Sequence, residues 1–520
     1  MRRSLLLSVC ITLICCKNND APDTTVISSL DLKRGEIVSC GPADGAQFGR
    51  VFFSATVPPS LRKDFATAIA LLHSFEYDEA EKMFSRIIDH DPGCAMAYWG
   101  VAMSNFHPLW APPTPEELKK GNAAINIARS IKNKTQRETG YIEAMGKFYD
   151  HSDQADHRTR VLAFEKAMEQ VYQDYKDDEE AAVFYALALN AAADPADKTY
   201  HNQQKAVALL LPIFQKEPLH PGIAHYIIHN CDYPELAELA LPAARKYAAI
   251  APASAHAQHM PSHIFTRLGL WDECIQSNLV SVSSAQCYAQ QAGIKGHWDE
   301  ELHGLDYLVY AYLQKKEDAF AKRQLDYLQT ITSVQPVNFK VAYAFAAIPA
   351  RYALERKDWQ QAASLQLHPG FAWNKFPWQE AIVHFAKLLG DVHLNKPVSA
   401  QAELAIIKTL YDSLSTQKNR ILEAAQVAVQ IKISEGLIQY KQGHQESGLA
   451  LVKVGADMED ATEKHPVTPG AVIPARELYA ELLLDANKIP EALQAFDDDL
   501  RLHPNRRNAL TGREMALRKK

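Results

Sequence analysis

Histidines at helical spacing carry the clearest chemical signal in this 520-residue sequence. Eight of the chain's twenty histidines lie between positions 220 and 306. Within two short stretches they are separated by three or four residues, and such positions share one face of a helix. Each stretch therefore predicts a stripe of imidazoles, which is how helices present ligands to a metal ion. The stripes are His225 with His229, and His256 with His259 and His263.

Two carboxylates and one further histidine extend this pattern. Asp232 follows His229 by three residues, and Asp306 follows His303 by the same interval. A metal site is the interpretation we favour, with a buried polar network and a groove that binds an organic anion left as alternatives. The predicted metal ligands are His225, His229, Asp232, His256, His259, His263, His303 and Asp306.

The ligand types limit the metal and its chemistry. Neutral imidazole and carboxylate suit zinc, copper, iron, nickel or manganese, whereas calcium prefers oxygen ligands. Zinc is the first expectation, and the absence of thiolate favours an open or dinuclear site over a structural one. The candidate catalytic bases are Asp232, Asp306 and Glu301, with Glu300 beside them. The sequence does not decide whether the chain is an enzyme, because it contains no phosphate-binding glycine loop, nucleophile elbow or H-E-x-x-H motif.

Helices must position these residues. From Pro59 onward almost every segment has helical periodicity, which predicts more than about 60% helix and essentially no sheet. The histidines fall on helices that begin near 221, 255 and 302, and imidazole nitrogens from at least two of them should lie within about 5 Å. Pro261 either kinks the second of these helices or begins a new one.

Two segments resemble tetratricopeptide repeats (TPRs). Tyr77 to Pro92 carries Ala80, Phe84 and Pro92, and the same spacing returns with Ala492, Phe496 and Pro504. The resemblance implies an all-α, TPR-like right-handed superhelix, an α-solenoid, whose concave groove binds ligands. A framing in units of about 34 residues places the histidines on that groove. The expected divisions are N-terminal repeats at 59–215, His-rich central repeats at 216–330 and C-terminal repeats at 331–520.

The paired motifs H-Y-I-I-H and H-M-P-S-H-I-F resemble those of a group of exported bacterial TPR proteins, to which no reaction attaches. The N-terminus agrees with export, since Arg2 and Arg3 precede a short apolar run and Cys15-Cys16. Residues 1–16 resemble a lipoprotein signal, with Cys16 as the lipidation site and an ordinary cleaved signal as the alternative. Residues 17–58 are then a tether and irregular segment. This implies a bacterial cell-envelope protein, facing the periplasm or the outside and touching the membrane only through its lipid.

The net charge and the cysteine spacing argue against two further features, nucleic-acid binding and a disulfide framework. A net charge of −7 and the lack of a long basic run argue against nucleic acid as a partner. Five cysteines follow the signal at irregular spacing, so no disulfide framework is predicted.

Together these features predict an exported, lipid-anchored TPR-like protein that binds a transition metal in its groove, as a metal-dependent hydrolase or oxidoreductase. The alternative is a non-catalytic TPR scaffold or a ligand-binding lipoprotein for protein, peptide or carbohydrate. The metal content of the purified protein distinguishes the two.

Overall fold

The computed structural model describes residues 22–41, 47–109, 112–417 and 419–520. It is 70% helical, so the predicted all-α solenoid is confirmed. The helices are α1 Thr24–Ser28, α2 Arg62–His73, α3 Tyr77–His90, α4 Ala95–Ser104, α5 Pro115–Ser130, α6 Gln136–Tyr149, α7 His157–Asp174, α8 Glu179–Ala191, α9 His201–Lys216, α10 Pro221–Asn230, α11 Ala237–Ile250, α12 Ala255–His259, α13 Pro261–Arg267, α14 Trp271–Gln291, α15 Asp299–Gln314, α16 Asp318–Thr330, α17 Phe339–Glu355, α18 Trp359–Ala363, α19 Pro377–His393, α20 Pro397–Ser415, α21 Ile421–Lys441, α22 Gln445–Asp460, α23 Ala475–Asp485, α24 Ile489–Leu502 and α25 Arg507–Lys519. Two 3-10 turns, Pro59–Leu61 and Trp373–Lys375, and one parallel pair of two-residue strands, β1 His297–Trp298 and β2 Val334–Gln335, complete it.

One turn geometry recurs between the paired helices. The second residue after the first helix of a pair has a left-handed backbone conformation. The N–H of the next residue then bonds to a carbonyl five residues back, which is the Schellman motif. Such repetition, with each pair packed on its neighbour, is the structural basis of a TPR-like solenoid. Within the described ranges the left-handed turn residues of this kind are Phe75, Gly269, Lys316, Lys357, Asn395, Gly443 and Asn487.

The aromatic residues of the two TPR-like motifs fill equivalent gaps. Phe84 and Phe496 are both fully buried. Phe84 packs so closely on α4 that a Cβ added to Gly100 would lie 2.3 Å from its ring. Phe496 packs on α25 in the same way, and a Cβ on Gly512 would also lie 2.3 Å from the ring. The spacing that suggested the repeats therefore reflects equivalent helix packing at the two ends of the chain.

The loop at 461–474, between α22 and α23, packs against the helices that carry the site. Tyr307 of α15 donates a hydrogen bond to the carbonyl of Val467 at 3.1 Å. Tyr343 of α17 donates to the carbonyl of Gly470 at 2.7 Å. The C-terminal units thus fold back onto the central ones, which the sequence analysis did not predict.

A disulfide joins Cys40 to Cys287 in α14, with Cα atoms 5.9 Å apart. The expectation of no disulfide is therefore wrong for this pair. The two cysteines are 247 residues apart in sequence, so only the folded chain brings them together. Cys94, Cys231 and Cys274 are buried and unbridged, as small apolar residues.

The N-terminal predictions lie outside the described residues. They concern the signal at 1–16, with Cys15 and the lipidation site Cys16. Among the residues that are described, no helix combines the length and apolar character needed to cross a bilayer.

Candidate metal centre

Helix α10 begins where the sequence predicted, at Pro221. Proline suits the first helical position, where its missing N–H has no partner to lose. The ring of His220 caps the helix, because its Nδ1 accepts the N–H of Ile223 at 3.3 Å. Two turns of this helix then carry His225, which is fully buried, and His229, which is half-buried.

The second stripe is divided between two short helices. Ser254 caps α12 by accepting the N–H of Ala257 at 3.0 Å. Helix α12 ends at His259, and α13 begins at Pro261 after a single helical residue, Met260. Of the two readings of Pro261, the structure has it begin a new helix. Helix α15, which carries His303, begins at Asp299, slightly before the predicted start near 302.

The first histidine trio consists of His225, His229 and His256. Nε2 of His225 lies 3.0 Å from Nε2 of His229 and 3.1 Å from Nε2 of His256. One ring nitrogen from each residue falls within 4.8 Å of the others. Nitrogens from α10 and α12 thus converge as predicted.

The second histidine trio consists of His259, His263 and His303, from α12, α13 and α15. Nε2 of His259 lies 3.2 Å from Nε2 of His263, and the His259 and His303 rings are 4.0 Å apart between centroids. The two trios are adjacent, since the His229 and His263 ring centroids are 6.4 Å apart. The sequence predicted one shared cluster, and the structure divides it into two neighbouring ones.

In two of the candidate ligands, the ring nitrogen that points away from the trio donates a hydrogen bond to a nearby acceptor. Nδ1 of His225 lies 2.7 Å from the carbonyl oxygen of His73, so this nitrogen carries the proton. Nδ1 of His259 donates to Oδ1 of Asn278 at 2.7 Å. That amide is fixed in turn, because its Nδ2 donates to the carbonyl of Cys274 at 2.8 Å. Both imidazoles therefore turn an Nε2 lone pair towards their trio, the arrangement that outer partners impose on metal-ligating histidines.

Asp232 orients a third imidazole, that of His263, from outside the trio. Its Oδ2 accepts from Nδ1 of His263 at 2.9 Å, which again leaves Nε2 with its lone pair. Lys464 and Arg267 also bind this carboxylate, at 2.6 and 2.9 Å. Burial raises the pKa of Asp232, but the two cations and His263 outweigh it and hold the pKa well below the usual range. Asp232 thus orients His263 and is not placed as a ligand itself.

The spacing between the trio nitrogens fits ligation of a common ion. Two neutral imidazoles whose protons are both on Nδ1 cannot hydrogen-bond through their facing Nε2 atoms. With metal–nitrogen bonds near 2.1 Å, however, the nitrogens of two neighbouring ligands lie about 3.0–3.4 Å apart. The observed separations of 3.0 to 3.2 Å match this range.

The surroundings of five of these imidazoles favour their neutral form. Burial lowers the pKa of His225, His229, His259 and His303 well below the usual value, and neighbouring imidazoles lower it further. The pKa of His263 is lowered too, again mainly by burial, although Asp232 opposes the shift. Neutral imidazole is the form that binds metal.

Two of the predicted acids do not reach either trio. Asp306 pairs with Arg351 at 2.5 Å, and burial raises its pKa despite that cation. Glu301 accepts from the Tyr327 hydroxyl at 2.6 Å and from His297 Nδ1 at 2.8 Å. Their carboxylates are engaged on other partners, so the structure places neither Asp306 as a ligand nor Glu301 as a base.

Glu300 lies behind the first trio. Its Oε2 is 3.8 Å from Nδ1 of His256, and its other oxygen pairs with Lys340. Burial raises the pKa of Glu300, but Lys340 and His256 more than compensate and hold it well below the usual range. An ionised carboxylate therefore faces the far side of the His256 ring, as Asp232 faces that of His263.

Sequence reasoning missed a third group, formed by His73, Glu180 and His220. Glu180 accepts from Nε2 of both imidazoles at 3.0 Å, and Nδ1 of His73 meets the Tyr226 hydroxyl at 2.9 Å. These bonds use the carboxylate and both imidazole Nε2 atoms, so this group is a buried polar network. Glu180 and Asn278 gave no spacing signal, since each lies on a different helix from its histidine partner.

Fold and site together define a TPR-like all-α repeat protein with clustered histidines. No family model matches the chain, and no curated protein matches it. The TPR domain of P58(IPK) resembles it at 11% identity and a TM-score of 0.20, covering 88% of this chain and 98% of that one. Naa15/Naa10 bound to HypK-THB resembles it at 11% identity and a TM-score of 0.23, covering 84% of this chain and 63% of that one. Scores this low transfer no partner or activity.

Proposed function

We propose that this chain is an exported TPR-like protein that binds transition-metal ions through the two histidine trios. The observation that carries the proposal is the His259–His263 pair, whose Nε2 atoms lie 3.2 Å apart while each Nδ1 donates to a fixed acceptor. Such an arrangement leaves lone pairs facing one another with no proton between them. A metal ion satisfies these lone pairs and removes their repulsion.

The donor set favours particular ions. Both trios offer imidazole alone, and Asp232 is occupied by His263, Lys464 and Arg267. Imidazole suits zinc, copper, iron and nickel, while manganese prefers carboxylate oxygen. Zinc thus remains the first expectation, with copper and iron next and manganese less suited.

Three imidazoles per ion leave a coordination position open for a substrate or water. An ion held in this way would polarise a carbonyl or activate water for hydrolysis, or change oxidation state if it is copper or iron. In either case His225 would bind the ion of the first trio, and His259 and His263 that of the second. The carbonyl of His73, Asn278 and Asp232 hold these three rings in orientation. A metal-dependent hydrolase or oxidoreductase is the activity this arrangement supports.

Export to the bacterial envelope, with a lipid on Cys16, is part of the proposal. The signal-like N-terminus is its main support. The bond between Cys40 and Cys287 adds a second line, because disulfides persist in oxidising compartments and are rare in the cytosol.

The decisive test is elemental analysis of the purified chain, with a double variant, His229→Ala with His263→Ala. We expect stoichiometric metal in the wild type and its loss in the variant, with the far-ultraviolet spectrum unchanged. The matched control is His151→Ala with His201→Ala, because both residues are exposed and belong to neither trio. A wild type that stays metal-free in metal-replete medium would refute the proposal.

A ligand-binding protein without catalysis is the second candidate. A cavity of about 150 Å³ favours it, with walls that include Trp271, Tyr310, Tyr343 and Trp378. Since the loop 461–474 also lines this cavity, the space suits a small molecule better than an extended peptide. Saturable binding of a small molecule to metal-free protein would support this candidate.

A further inference from the structure

Phe75 covers the first histidine trio. Its ring centroid lies 4.4 Å from that of His225, 5.5 Å from that of His229 and 5.9 Å from that of His256. The ring is stacked on His229, with 24° between the planes. One apolar ring thus contacts all three imidazoles of the trio, although it belongs to the distant turn between α2 and α3.

The backbone at this position does not favour phenylalanine. Phe75 has a φ of 59°, and the equivalent turn residues Asn395, Asn487 and Lys316 have 54°, 59° and 62°. A side chain in this left-handed region crowds the following carbonyl, so glycine or asparagine is the usual choice. Among the seven equivalent turns in the described ranges, Phe75 is the only aromatic residue. The contacts of its ring are the gain that offsets the local backbone cost.

Burial places Phe75 at the mouth of the trio. Phe75 and His229 are half-buried, while His225 and His256 are buried. The side of the trio where His229 and Phe75 stack is therefore its less buried side.

We propose that Phe75 gates the open coordination position of the ion held by His225, His229 and His256. The gate rests on the proposed metal function. By covering the exposed side, the ring admits small ligands and excludes bulky, hydrated ones such as chelators. Phe75 is a positioning residue, since its hydrocarbon ring supplies no ligand atom.

The alternative is that Phe75 contributes only to the packing of the fold. It also stacks on Tyr77 at 5.4 Å and lies 5.9 Å from Tyr226. The test must therefore remove the ring without weakening the turn. Phe75→Asn does so, because asparagine occupies the same turn position at Asn395 and Asn487.

The experiment uses the full chain loaded with Co(II), whose visible absorption reports the coordination sphere. The rate of metal removal by EDTA and the binding of azide are measured for the wild type, Phe75→Asn, Phe75→Leu and Lys316→Asn. Lys316→Asn is the matched control, since it makes the corresponding change at an equivalent turn without altering Phe75.

We expect Phe75→Asn to bind the same amount of Co(II), to melt no lower than the wild type and to lose metal to EDTA at least tenfold faster. Azide affinity should change little, and Phe75→Leu should restore slow removal to within about threefold of wild type. Lys316→Asn should behave as the wild type. The gate is overturned if EDTA removes metal from Phe75→Asn at the wild-type rate. It is also overturned if folded Phe75→Asn no longer binds Co(II). A wild type that binds no Co(II) refutes the metal function itself.

Discussion

Acidification should destabilise the metal-free protein steeply. Four trio imidazoles, those of His225, His259, His263 and His303, are buried, with pKa values below the usual one. In the unfolded chain these rings take up protons below about pH 6.5. Because the folded state resists that uptake, the stability is fully present above pH 6.5 and declines as the pH falls towards the folded pKa values.

The magnitude follows from the number of groups. Each ring that stays neutral in the folded state lowers the free energy of unfolding by up to about 1.4 kcal/mol for each pH unit below 6.5. The four rings together give an upper bound of roughly 5 to 6 kcal/mol per pH unit. Since domains of ordinary stability have free energies of unfolding of about 5–15 kcal/mol, the metal-free chain should unfold or open between about pH 4 and 5.5.

The assay is denaturant unfolding followed by far-ultraviolet circular dichroism, on chelator-treated and metal-loaded protein from pH 7.5 to 4.5. Bound metal should shift the transition to lower pH, because it competes with protons for the same nitrogens. His303→Gln should lower the pH slope by about one proton, whereas the exposed control His201→Gln should not. A midpoint that is constant between pH 7 and 5 in the metal-free wild type would contradict the buried, neutral state of these rings.

Three further predictions use other contacts. Asn278→Ala removes the acceptor for Nδ1 of His259 and should weaken metal binding by about 10–100-fold at the second trio only. Competitive titration with a chromophoric chelator measures the affinity of each trio. Wild-type affinities at both trios in this variant would exclude the role of Asn278. Cys40→Ser should lower the free energy of unfolding by about 2–5 kcal/mol, and a wild type with both Cys40 and Cys287 reactive to a thiol reagent after denaturation would show that no bond forms. Replacing Cys15 and Cys16 together with Ser should release the protein from membranes, and a wild type that already fractionates as soluble would disprove the lipid anchor.

The histidine pattern could be recognised in sequence because helical geometry is local. A separation of three or four residues fixes which side chains share a face, whatever the rest of the chain does. The pairs His225–His229 and His259–His263 are close in the structure for this reason. The same holds for Pro221 and Pro261, whose chemistry sets helix starts at those positions.

The partners of those histidines could not be predicted, since long-range packing chooses them. Asp232 has the spacing of a ligand, yet Lys464, which is 232 residues away, and Arg267 hold its carboxylate. Asp306 has the same spacing, but Arg351 takes it. Local spacing gives the face on which a carboxylate lies, whereas the nearest buried cation decides what it binds.

The sequence by itself determined the all-α repeat architecture and the set of imidazoles, since both depend on periodicities shorter than one repeat. Only the tertiary structure decided that six histidines form two trios, that Phe75 covers the first, and that Cys40 meets Cys287. The physical reason is that a solenoid builds its interior from residues far apart in sequence. Their contacts depend on how successive units stack and on how the loop 461–474 packs back onto α15 and α17.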